Sequence, residues 1–270
     1  MSKSPSSVED AVETMDRRSV VRRLLGLPLA AGAVAGLTAP GRASGASTTA
    51  TTRRALMLEP GSKLVMIGDS ITDAGRARPI GEGRGDTLGN GYVMMVDALL
   101  SAVHPEARIR VVNMGISGNT VRNLAARWQT DVFNLEPDYV SIMIGANDVW
   151  RQFDSPLRTE QHVFIEEYES VYEELITQTL PRVKGLILFT PFYLEPNRQD
   201  AMRATMDRYS DVVRRLAQRH SLPLVDSQAV FDELLEHVYP AAINWDRVHP
   251  NHVGSMVLAR AFVKTIGLEW

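Results

Sequence analysis

From residue 57 onward the chain alternates short apolar runs with stretches of helical spacing. Lys63-Leu64-Val65-Met66-Ile67 is nearly continuous in apolar residues and stops at Gly68, the pattern of a first buried strand. Similar runs at 109–113, 139–144, 185–189 and 222–225 predict four more strands. Between and after them, 92–103, 163–180, 202–220, 231–238 and 252–266 carry apolar residues at helical spacing. Strands apolar at consecutive positions are buried on both faces. The pattern therefore predicts a five-stranded parallel sheet in a single α/β domain, with helices on both sides. The stretch 72–91 breaks this order. It is long for a connection and has five glycines between 75 and 89, and long loops in compact domains tend to be functional.

The first 46 residues follow another pattern. Asp16-Arg17-Arg18-Ser19-Val20-Val21-Arg22 is basic, 24–37 is weakly apolar and rich in Ala and Gly, and small residues follow through Ala43, Gly45 and Ala46. This order matches the basic, apolar and cleavage regions of an export signal, and the paired arginines resemble a twin-arginine signal. No Phe, Trp or Tyr occurs before Tyr92, so the segment has little to pack with. The apolar run is too short for a comfortable membrane span. The expected organisation is a signal at 1–46, a linker at 47–56 and a folded domain at 57–270, with export to the periplasm or the exterior and no membrane attachment once the signal is removed; without a working signal the protein is cytoplasmic.

Composition narrows the chemistry. The 270 residues carry a formal charge of −3 and no cysteine. Thiol nucleophiles, disulfides and cysteine-ligated metals are excluded. The mild negative balance argues against a nucleic-acid partner.

In open parallel sheets, ligands gather at the carboxyl ends of the strands. There the sequence places Gly68-Asp69-Ser70-Ile71-Thr72, Gly115-Ile116-Ser117-Gly118-Asn119, Gly145-Ala146-Asn147-Asp148 and, after the fifth strand and its helix, Trp245-Asp246-Arg247-Val248-His249-Pro250. A hydroxyl, an imidazole, a carboxylate and a side-chain amide in these places suit nucleophilic acyl transfer. Ser70 is the expected nucleophile. An imidazole titrates near neutrality, so His249 can take the hydroxyl proton and return it to the leaving alcohol. Asp246, three residues earlier, can orient that ring. The N–H groups of Ser70 and Gly118 and the amide of Asn147 are expected to form the oxyanion hole, glycine at 118 allowing close approach of the main chain. A strand order 2-1-3-4-5 would set Ser70 between Gly118 and Asn147. Taken singly, each motif is more simply a turn, a helix cap or a surface ion pair; the four in this order make a set.

The same strings resemble the SGNH (GDSL-type) hydrolase family, whose name-giving residues map to Ser70, Gly118, Asn147 and His249. The likeness runs from about residue 57 to the C-terminus. It is closer still to SGNH-type acetyl-xylan esterases, through Asp73-Ala74-Gly75-Arg76-Ala77-Arg78-Pro79, Gly115 through Arg122, Asn147-Asp148-Val149-Trp150-Arg151-Gln152 and Thr190-Pro191-Phe192-Tyr193. The resemblance implies a flavodoxin-like three-layer α/β/α sandwich, no cofactor or metal, and removal of acetyl groups from xylan-derived sugars. The signal-like N-terminus departs from members that act on internalised oligosaccharides.

Other functions compete. The same residues serve lipolytic and lysophospholipid esterases, but the Gly-, Arg- and Glu-rich stretch 72–91 suits a polar alcohol portion better than an acyl channel. A non-catalytic carbohydrate-binding module on this fold would not need Ser70, Asp246 and His249 together. Asp246, His249 and His252 at three-residue spacing form a weak metal-ligand pattern. His104, His162, His220 and His237 lack catalytic company. Trp150 and Trp245 flank the proposed site and could stack on a sugar ring, shape the interface of a homo-oligomer, or simply pack.

Overall fold

The computed structural model describes residues 56–83 and 85–268. The expected export signal and all but the last residue of the expected linker lie outside the described residues. Strands β1 (Lys63–Gly68), β2 (Arg110–Asn113), β3 (Tyr139–Met143), β4 (Gly185–Phe189) and β5 (Leu224–Val225) form one parallel sheet in the order β2-β1-β3-β4-β5. This is the order that the placement of Ser70, Gly118 and Asn147 required. After Lys63, every residue of β1 is buried, as are all of β3 and the last four residues of β4. Two-sided burial is the reason these strands carry unbroken apolar runs.

The helices are α1 (Ser70–Asp73), α2 (Tyr92–Val103), α3 (Val121–Asp131), α4 (Ala146–Asp154), α5 (Ile165–Thr179), α6 (Ala201–Arg219), α7 (Ser227–Leu235), α8 (Pro240–Ile243) and α9 (His252–Thr265). Right-handed crossovers put α2 and α9 on one face of the sheet and α3, α5 and α6 on the other. On the first face Tyr92, Phe189 and Phe262 pack in a row, the two phenylalanine rings stacked 5.5 Å apart. On the second, Trp128 donates to Thr179 Oγ1 at 3.0 Å and Tyr168 to the Ile144 carbonyl at 2.8 Å, so the buried polar atoms of these rings are satisfied. Truncating a fully buried ring such as Phe189 would cost about 3–5 kcal/mol. No helix among the described residues is long and apolar enough to cross a membrane.

Some elements differ from the sequence pattern. Helix α3 was not expected: only Val121, Leu124 and Trp128 of its eleven residues are buried, a stripe too narrow to stand out among its polar residues. Of helix α4 the sequence shows only Asn147-Asp148, a motif that also reads as a helix cap, and not the helix that follows. Helix α7 starts and ends earlier than the stretch 231–238, because the Asp226 carboxylate caps it by accepting from the Ala229 N–H. Strand β5 is reduced to two residues.

The chain leaves β1 for β2 on one side and later returns to β3 on the other. The segment after Gly68 therefore lies between the ends of β2 and β3, at the switch point of the sheet.

Candidate active site

Ser70 is the first residue of α1, so its N–H has no intrahelical acceptor. The preceding Asp69 caps the helix, its Oδ1 accepting from the Ile71 N–H at 3.0 Å. Burial pushes the Asp69 carboxyl up to about 6, against the pull of that N–H and of His249. Ser70 Oγ lies 2.7 Å from His249 Nε2, and His249 Nδ1 lies 2.6 Å from Asp246 Oδ2. Asp246 Oδ1 also accepts from the N–H groups of Val248 and His249, at 2.9 and 3.0 Å. Burial alone would raise the Asp246 pKa. The hydrogen bonds from the His249 ring and the two N–H groups outweigh it and hold the carboxyl below its ordinary value.

The loop carrying Asp246 and His249 is fastened to the segment after β4. The Leu194 N–H donates to the Arg247 carbonyl at 2.9 Å, and the Arg247 guanidinium pairs with Glu195. The Glu195 carbonyl in turn accepts from buried Arg203 at 2.6 Å. Arg247 has φ +60°, a conformation that costs a non-glycine residue free energy and persists only when its neighbours fix it.

On the other side of Ser70, the loop after β2 is pinned by buried polar groups. Asp73 Oδ2 accepts from the Ser117 N–H and Oγ at 2.9 and 2.8 Å. Burial opposes the charge on Asp73, but Arg78 and Ser117 outweigh it and keep the carboxyl below its ordinary pKa. Arg76 donates to the Gly115 carbonyl at 2.7 Å. Arg127 reaches Asn119 Oδ1, the Met114 carbonyl and the Gly68 carbonyl, at 2.7, 2.7 and 3.0 Å. Gly118 has φ +81°, and its N–H has no acceptor among the described residues. A Cβ placed there would meet nothing within 4 Å. The left-handed backbone by itself favours glycine at this position.

Asn147 is the second residue of α4 and is buried. Its Nδ2 donates one hydrogen to the Asn119 carbonyl at 3.0 Å, leaving a second hydrogen on the same nitrogen. Ser70, Gly118 and Asn147 thus end their three neighbouring strand–loop units side by side. The arrangement holds a hydroxyl against a base, and N–H donors flank that hydroxyl.

The Gly-, Arg- and Glu-rich stretch 72–91 turns part of its charge inward. Arg76 is buried and also donates to the carbonyls of Ala77 and Pro79, while Arg78 pairs with Asp73. Arg76 and Arg78 brace the main chain around Ser70. Trp150 packs on the His249 ring, centroids 5.7 Å apart, whereas Trp245 is 84% exposed. His104 lies beside Glu106, His220 beside Glu173, and His162 against the Ser155 carbonyl, while His237 is exposed. His252 opens α9 and is exposed, and among the described residues no three His, Asp or Glu side chains gather as a cation site. Sequence reasoning missed Asp73, Arg76, Arg127, Glu195 and Arg151. Only Arg151 carried a usable signal: it follows Asn147 by four residues, the spacing of one helical face.

The GDSL-like Lipase/Acylhydrolase family model matches residues 66–257. An acetylxylan esterase of Geobacillus stearothermophilus is 59% identical over 210 residues, covering 78% of this chain and 96% of the relative. The crystal structure of Axe2, an acetylxylan esterase from the same organism, superposes with a TM-score of 0.79 at 58% identity, covering 80% of this chain and 98% of that one. Catalytic mutants of Axe2 with a serine, an aspartate or a histidine changed to alanine match with the same TM-score. LAE5, an alpha/beta hydrolase from the metagenome of Lake Arreo, Spain, matches with a TM-score of 0.78 at 57% identity, over 79% of this chain and 98% of that one.

Proposed function

The chain belongs to the GDSL-like lipase/acylhydrolase family, and from that premise we propose that it is a serine esterase removing acetyl groups from acetylated xylan or xylo-oligosaccharides. The observation that carries the chemistry is the unbroken line from Ser70 Oγ through His249 to Asp246. In this reading Ser70 Oγ attacks the acetyl carbonyl carbon as His249 Nε2 takes its proton. Asp246 holds the ring by Nδ1 and stabilises the imidazolium. The carbonyl oxygen becomes an oxyanion, held by the N–H groups of Ser70 and Gly118 and the free hydrogen on Asn147 Nδ2. Collapse breaks the bond to the sugar oxygen, which leaves with the proton from His249. Water, deprotonated by His249, then attacks the acetyl-enzyme, and acetate leaves with Ser70 restored. Every step uses this chain's own side chains, so activity is expected to survive dialysis against a chelator.

The substrate class is supported by the 59% identity to an acetylxylan esterase over nearly its whole length. The test measures acetate release from acetylated xylo-oligosaccharides beside hydrolysis of aryl acetate, butyrate and octanoate. A closed acyl pocket gives rates that fall with chain length. An open channel gives rising rates, since each buried methylene gains about 0.8 kcal/mol. Octanoate or a lysophospholipid as best substrate would replace this reading with the lipolytic one.

We also propose that residues 1–46 direct export by a twin-arginine route, on the strength of Arg17, Arg18 and the short apolar run after them. Replacing both arginines by lysine is expected to retain the full-length protein in the cytoplasm. Undiminished export of that variant would reject the route.

A further inference from the structure

Arg151 has no part in the reaction as derived above, yet its guanidinium lies at the edge of the oxyanion hole. It stands one turn after Asn147 on α4, and its Nη2 donates to Asn147 Oδ1 at 3.1 Å. Two further contacts hold it there. Nη1 pairs with Asp154, and the guanidinium lies over the Trp150 ring at 5.2 Å, the ring that packs on His249.

A side-chain amide can exchange its oxygen and nitrogen by a half-turn with almost no change in shape. For an oxyanion donor the two orientations are opposites, since one offers an N–H to the developing charge and the other offers an oxygen that repels it. Two partners choose the orientation at Asn147. The Asn119 carbonyl accepts from Nδ2, and Arg151 donates to Oδ1. A guanidinium is always charged and has no acceptor, so the turned amide would set its NH2 group against a cation. The charge at Oδ1 also draws electron density across the amide and strengthens the remaining N–H as a donor.

We infer that Arg151 is a positioning residue that fixes and polarises the Asn147 amide for the oxyanion. The inference rests on the reading of Asn147 as an oxyanion donor and deepens it. Arg151 acts through Asn147 alone, so its effect exists only while that amide is present.

A double-mutant cycle on the full chain tests this, with a chromogenic aryl acetate as substrate so that sugar recognition does not enter. Arg151→Met, which keeps most of the stem, is expected to lower kcat about 10–30-fold with KM within about twofold of wild type. Arg151→Lys keeps a charged donor and is expected to recover most of that loss. In an Asn147→Ala background, itself lowered about 10²–10³-fold, Arg151→Met is expected to change kcat by less than about twofold. An equal loss from Arg151→Met in both backgrounds, a loss confined to KM, or wild-type turnover in Arg151→Met would each overturn the role of Arg151 while leaving Asn147 in place. Wild-type turnover in Asn147→Ala alone would overturn the oxyanion assignment, and Arg151's role with it.

Discussion

Ser70 and Gly118 sit on main chain pinned by buried polar side chains, whereas Asp246 and His249 sit on a half-exposed loop held by an ion pair and a few backbone contacts. On the first side, Asp73, Arg76, Asn113 and Arg127 all donate to or accept from the backbone around Ser70 and the loop that carries Gly118. On the second, the Arg247 and His249 side chains are each 36% exposed, and Glu195 is the main counter-charge. The difference follows the work proposed for each side. An oxyanion hole stabilises charge best when its dipoles are fixed beforehand, because reorganisation then adds nothing to the barrier. The base must meet the leaving alcohol and then a water, so it has to face the solvent side.

The largest effect removes what both sides share. Ser70→Ala is expected to lower kcat about 10⁴–10⁶-fold with the fold intact, and to abolish labelling by a serine-directed phosphonate. Near-wild-type turnover would dissolve the site that the two sides are said to form.

The pinned side should respond in both rate and stability. Asp73→Ala leaves the Ser117 N–H and hydroxyl without their acceptor, and is expected to lower kcat about 10–100-fold and stability by about 2–3 kcal/mol. Paired kinetics and urea unfolding check it. A rate loss without a stability loss would mean that the oxyanion loop does not depend on its buried anchor.

A third prediction sharpens the comparison through pH. Asp148 follows Asn147, and its Oδ1 accepts from the Val121 N–H at 2.9 Å while buried Oδ2 has no partner. Burial raises its pKa from 3.8 to about 7, only partly opposed by that N–H. The unfolded chain therefore ionises first as pH rises. The contribution to stability is full below about 4, is lost as pH rises to about 7, and is level beyond; the loss is on the order of 2–4 kcal/mol. Asp148→Asn should flatten that decline in urea unfolding between pH 4.5 and 7.5. An unchanged slope would show that Asp148 is ionised in the folded state across this range.

The smallest effect belongs to the open side. Glu195→Gln keeps the shape that meets Arg247 but removes the charge, and is expected to lower kcat about 2–5-fold with under about 1 kcal/mol in stability. If it matched Asp73→Ala in both measurements, the contrast between the two sides would fail.

Read from the sequence alone, the five strands and five of the helices were visible, because burial on both faces and helical spacing are recorded in consecutive residues. The line from Ser70 through His249 to Asp246 was visible for a related reason: each member follows a strand or helix end, and Asp246 lies close enough to His249 for one turn to present both. Helices α3 and α4 were not visible, since α3 has only three buried positions and α4 begins inside a motif that also reads as a bare helix cap. The left-handed φ of Gly118 was not legible, because it depends on the path of the main chain between β2 and α3. Arg76, Arg127 and Glu195 carry no local mark, and Arg151 only its four-residue spacing from Asn147. Each is a long polar side chain whose meaning depends on which carbonyl or carboxylate lies at its end. Gly68 and Arg127, 59 positions apart, and Glu195 and Arg247, 52 apart, are brought together by the sheet and the packing of its helices. Local pattern thus determined the strands and the reacting groups, while tertiary structure decided the strand order and which charges hold those groups in place. Propensity and spacing act over a few residues; hydrogen-bond partners across the sheet exist only once the chain has packed.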